Sequence, residues 1–220
     1  MYALAFLHNE PDWVRQAVRV AVQMADILLI RDPHSIHVRE AVVGALLHTM
    51  GKPLLVSEEL PTLKANMSPR HKEILKQHVV TLRSKLLSLG WKPSATCEDI
   101  MLHANELLDG TGYPFNLKGS QISDNVIVVS IIKAVSKLMY GRNGVRPLTP
   151  LNAYRLISEA PQCYDKATLV EYIQCYGLYP IGSLAKFSGG FLAWIIDIDG
   201  KGMPIKVNVV KNLAFMDTNI

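Results

Sequence analysis

The sequence predicts a mainly α-helical fold with a small C-terminal antiparallel β appendage. Up to about residue 177, polar residues followed by proline and glycines that end apolar periodic runs mark about seven helices in succession. Beyond Gly177 the pattern shortens to β-prone runs broken by Gly189-Gly190 and by Asp199-Gly200-Lys201-Gly202, which are hairpin signals. The 220 residues are 49% hydrophobic and 19% charged, enough apolar material for one large domain with an appendage. A chain disordered in its main state is excluded.

Each element has its own signal. Pro11 opens a helix over residues 12–30, and Asp32-Pro33 a second to about Met50. Ser68-Pro69 starts a third that runs to Leu89 and stops at Gly90. Residues 94–108 form a fourth, stopped by Gly110, and 122–140 a fifth. Thr149-Pro150 opens the sixth to about Ala160, and 165–176 is the seventh, stopped by Gly177. Leu184, Phe187, residues 191–198 and residues 205–210 then supply three or four strands. The expected division is a helical domain over 1–177 and a β appendage over 178–220 packed on it.

Several classes of function are set aside early. A formal charge of +4 is too small and too dispersed for a nucleic-acid polyelectrolyte binder, whereas small anionic ligands suit it. The most apolar runs, 17–30 and 126–135, are broken by Arg19, Gln23 and Asp26 and by Ser130 and Lys133, so no membrane span is expected. The first ten residues lack a basic segment and end on Glu10, unlike a secretory signal, which points to the cytoplasm. Cys97, Cys163 and Cys175 are odd in number and lack a Cys-x-x-Cys spacing, and they read as reduced core residues.

Two stretches carry chemistry. His48 ends an apolar run, Ala45-Leu46-Leu47, and is followed by Thr49-Met50-Gly51-Lys52, so an imidazole and then an ammonium sit at the mouth of a buried helix. The residue is either a satisfied core histidine or a ligand. Asp109-Gly110-Thr111-Gly112-Tyr113-Pro114 confines the backbone to a preset loop, which is either a structural turn or a device that presents the tyrosine. Lys118 adds a cation just after it, solvated or ligand-facing.

Taken in order, Ala45 to Lys52, Glu73 with His78, Glu106 to Pro114, and Arg146-Pro147 resemble the landmarks of the HD-GYP family. Tyr179 to Ser183 and its β-rich sequel resemble the tail that many members carry, and the likeness spans roughly residues 12 to 210. The resemblance implies an HD-type helical bundle. It also implies a place in bacterial signalling, because members are metal-dependent phosphodiesterases that open c-di-GMP with two or three metal ions.

The departures from that pattern bear on function. The family's His-Asp pair is His48-Thr49 here, and its double histidine is Ala104-Asn105 before the retained Glu106. Counting back from Arg146-Pro147, a metal-binding aspartate falls on Lys137, and an early helical histidine aligns near Gln16. Of the histidine and aspartate ligand positions, only His48 and His78 remain. A catalytic centre needs about three protein ligands. A lysine about 4 Å from a divalent ion opposes it by roughly 8 kcal/mol at an effective dielectric near 20. Lys137 either replaces the metal electrostatically or extends into solvent, and Lys133, one turn earlier on the same face, is its alternative for that role.

The expectation is therefore a catalytically degenerate HD-GYP-like regulatory domain without a metal or cofactor; the alternative is an active phosphodiesterase with an altered metal site. Lys52, Tyr113, Lys118, Lys137 and Arg146 are the candidates to hold c-di-GMP or another phosphate ligand. A signalling protein partner met through the Gly112-Tyr113-Pro114 loop is the other expected interaction.

Overall fold

A computed structural model describes residues 10–56, 67–140, 146–200 and 202–212. Its helices are α1 (Asp12–Arg31), α2 (Val38–Leu47), α3 (Pro69–Lys76), α4 (His78–Ser88), α5 (Ala95–His103), α6 (Asp124–Tyr140), α7 (Pro150–Ser158) and α8 (Lys166–Tyr176). Three strands follow, β1 (Leu184–Phe187), β2 (Phe191–Ile198) and β3 (Pro204–Asn212). They form one antiparallel sheet in the order β1-β2-β3, with Leu184 opposite Trp194 and Ala185 opposite Ala193.

α6 is the axis of the bundle. Val126, Val128, Val129, Ile131, Ile132, Val135 and Met139 are all buried along it. β-Branched residues are middling helix formers, so this helix owes its stability to what surrounds it. Val20, Met24 and Ile27 of α1, Ala41 and Ala45 of α2, and Tyr154 and Tyr172 of α7 and α8 belong to the same core. Each large apolar side chain contributes about 1.5–3 kcal/mol by leaving water. A smaller cluster joins Val79 and Leu82 of α4 to Met101 and Leu102 of α5.

The cap expected at Ser68 is present, and Ser94 and Asp165 cap their helices too, the three side chains accepting from the backbone N–H of His71, Cys97 and Thr168. Three boundaries differ from the sequence reading. Asp32-Pro33 builds a turn rather than a helix start: the Asp32 carboxylate accepts from His34 N at 3.0 Å and its carbonyl from Ser35 N, which delays α2 to Val38. The segment expected over 69–89 breaks at Gln77, giving α3 and α4. α5 stops at His103 instead of Leu108, because the next carbonyls are claimed from elsewhere: Ala104 O accepts from Lys133 Nζ and Asn105 O from Tyr113 N.

Cys97 is a core residue, but Cys163 and Cys175 are only partly buried. The Cys163 thiol donates to the Asp109 carboxylate at 3.2 Å, a polar use that the expectation of three core cysteines missed. No helix among the described residues is long and apolar enough to cross a membrane.

Candidate functional site

The end of α2, the turn after α5 and the flank of α6 enclose a cavity of about 240 Å³, closed on a further side by Gln16 of α1. His48, Thr49 and Lys52 reach it from the first, Asn105, Glu106 and Tyr113 from the second, Ser130, Lys133 and Lys137 from the third. Close packing requires two glycines here. A Cβ on Gly51 would lie 1.8 Å from His78 O, and one on Gly112 would lie 2.4 Å from Glu106 Cα. The first lets the turn after α2 seat against α4, and the second lets the Tyr113 loop fold back over Glu106.

His48 is fully buried, and its Nδ1 donates to Ala45 O at 2.5 Å. That bond fixes the tautomer and leaves Nε2 with a bare lone pair, which has no partner. Burial pushes its pKa well below the ordinary histidine range, and the Lys133 charge adds to the effect. His78 stands behind it rather than in the cavity. Its Nδ1 lies 2.7 Å from Leu75 O and its Nε2 3.0 Å from His48 O, while its ring meets Tyr113 edge-on at 6.2 Å. Burial first, then Lys52, lowers its pKa to about 4.

Glu106 is also buried, and both carboxylate oxygens are engaged: Oε1 accepts from Phe115 N at 2.8 Å and Oε2 from Leu117 N at 3.1 Å. The residue thus clamps the loop after Pro114. Asp109 braces the same loop from outside, accepting from Thr111 N and Oγ1, bonds that lower its pKa. Held at both ends, the loop turns Tyr113 inward to line the cavity.

The cations sort by depth. Lys133 is the inner one, its ammonium donating to Ala104 O and Asn105 Oδ1, each at 2.5 Å. Lys52 is buried at the α2 mouth. Lys137, the position reached by counting back from Arg146, is exposed at the rim, one turn beyond Lys133. Two expected ligand residues lie elsewhere. Lys118 is exposed and lays its stem over Gly110, where an added Cβ would come 2.3 Å from its Cε, and it does not line the cavity. Arg146 is exposed in the extended segment before α7, clear of the cavity lining. Reading along the chain missed Tyr164, which reaches the wall from before α8, whereas Asn105 and Gln16, read as standing at former ligand positions, do line the cavity, each with a buried unpartnered atom, Nδ2 and Oε1.

The donor set does not fit a metal centre of the kind the HD-GYP resemblance implies. Of the two remnant histidines, only His48 has a ring nitrogen with a free lone pair, Nε2. The His78 nitrogens face carbonyls, the Thr49 hydroxyl donates to Trp13 O at 2.9 Å, each Glu106 oxygen is already engaged by an amide, and an ammonium sits beside them. Among the described residues no three His, Cys, Asp or Glu side chains are grouped to hold an ion.

No family model matches the chain. It is 26% identical over 166 residues to the cyclic di-GMP phosphodiesterase PA4108 of Pseudomonas aeruginosa, covering 76% of this chain and 40% of that one. It is 25% identical over 178 residues to the cyclic di-GMP phosphodiesterase PdeB of Borreliella burgdorferi, covering 80% of this chain and 46% of the relative. The chain therefore spans less than half the length of these curated relatives. Among solved structures it is similar to Bd1817, an HDG"Y"P protein from Bdellovibrio bacteriovorus, with a TM-score of 0.55 and 21% identity over 78% of this chain and 56% of that one. At that identity the likeness concerns the fold.

Proposed function

We propose that the chain is a catalytically degenerate member of the HD-GYP family, a regulatory module that holds a phosphate ligand of the cyclic dinucleotide class and does not hydrolyse it. The observation that carries this reading is the Lys133 ammonium inside the cavity, on Ala104 O and Asn105 Oδ1. A fixed cation serves a bound phosphate as a point charge. Its bond to Asn105 Oδ1 leaves the buried, unpartnered Nδ2 as a second donor, and the His48 Nε2 lone pair accepts from a ligand hydroxyl. Tyr113 supplies an aromatic wall. The two curated relatives, named as cyclic di-GMP phosphodiesterases, support c-di-GMP as the ligand to test first.

The experiment combines elemental analysis, calorimetric titration with c-di-GMP and a hydrolysis assay on the full chain. The expected result is substoichiometric metal, saturable binding without turnover, and binding weakened about tenfold or more by Lys133→Met, equivalent to about 1.4 kcal/mol. Two metal equivalents together with turnover that His48→Ala abolishes would overturn the proposal in favour of an active phosphodiesterase.

A further inference from the structure

A second cavity, of about 130 Å³, opens beside the first between α1 and α6 and shares Gln16 and Lys137 with it. Arg15 and Arg19 of α1 face Ser136, Lys137 and Tyr140 of α6 across it. Asp12 supplies a carboxylate on its wall, and that group is ion-paired with Arg15. Among the lining residues that one carboxylate faces three cations, Arg15, Arg19 and Lys137.

Arg19 is held as a binding group is held. Its guanidinium carbon lies 3.5 Å from the centroid of the Tyr140 ring, and Nη1 donates to Ser136 Oγ at a long 3.3 Å. The stacking fixes the plane of the fork. Its Nε is buried and has no partner. Arginine does not shed its proton, so a buried guanidinium lacking an acceptor is costly unless an anion supplies one. A role as a strut between α1 and α6 accounts for the stacking on Tyr140, but not for the unpartnered Nε or for three cations set against one carboxylate. The cavity is smaller than the roughly 300 Å³ at which pockets for drug-sized ligands begin, and so suits a single small anionic group.

We propose that this side cavity is a phosphoryl-group site, with Arg19 as its forked donor and Lys137 as the cation shared with the main cavity. Resting on the reading of the main cavity given above, the two together would take one ligand that carries two phosphate groups. The Arg19 Nε–H resonance of the full chain reports the site directly, with inorganic phosphate and then c-di-GMP as probes. A saturable shift is expected with phosphate, and it should persist in Lys133→Met. The rim variant Lys137→Met, which removes an exposed side chain and so spares the fold, should weaken both phosphate at Arg19 and c-di-GMP, by about fivefold to tenfold. An Arg19 resonance unmoved by saturating phosphate overturns the side site whatever Lys133→Met does. If the resonance shifts while Lys133→Met leaves c-di-GMP affinity unchanged, the side site stands and the main-cavity reading fails.

Discussion

At the scale of single residues, His48 and Lys52 were legible because an apolar helix that ends in an imidazole and an ammonium presents both at its mouth, and both line the cavity. Depth along a helix face was not legible. Lys133 and Lys137 share a face at i and i+4, and periodicity cannot tell which turn lies deeper. The Ala104 carbonyl at the end of α5 and the Asn105 side-chain Oδ1 settle the matter by drawing the Lys133 ammonium inward. The burial of His78 has a consequence for acid stability. In the unfolded chain it takes up a proton near pH 6.5, in the folded protein only near pH 4. Its contribution is therefore complete above pH 6.5 and falls away as pH drops toward 4, by up to about 3 kcal/mol. Urea midpoints measured across that window should decline on acidification, and His78→Gln should flatten the slope. An equal slope in the variant would assign the effect to other groups.

At the scale of elements, what a short polar side chain does beside a proline decides where a helix begins. Ser94 and Thr149 both stand at the N-cap of their helices, yet of the two only Ser94 accepts a backbone N–H; Thr149 makes no side-chain cap bond. Ser94→Ala should therefore cost about 1 kcal/mol in chemical denaturation, while Thr149→Ala should cost a few tenths at most. Asp32-Pro33 shows the same ambiguity from the other side, since its carboxylate closes a turn instead of capping α2. The Tyr113 loop was legible as a preset turn from its glycines, but its inward direction was not, because Glu106 and the Phe115 and Leu117 amides that hold it belong to opposite ends of the loop. Gly112→Ala should open this clamp. With the new Cβ at 2.4 Å from backbone on Glu106 and Leu107, the loop has to shift, and stability should fall by about 2 kcal/mol or more in thermal melts.

At the scale of the whole molecule, the mainly helical class and the three-stranded tail followed from proline and glycine punctuation, which records the chain's local needs. The main cavity did not follow, because its walls come from α1, α2, the turn after α5 and α6, far apart in sequence. The tail is expected to depend on the helices for its stability. Residues 178–220 are too few to bury a core without disulfides or metal, so the isolated fragment should show no cooperative unfolding transition, and one that did would mark it as an independent domain. The Lys133 ammonium also changes how the molecule relates to its surroundings. A metal ion is borrowed from a fluctuating supply and can be lost to competitors or chelators. A charge carried on α6 is present from synthesis onward, in every copy, so under the proposed phosphate-holding role the readiness of this site would be set by the gene and be indifferent to the availability of divalent ions.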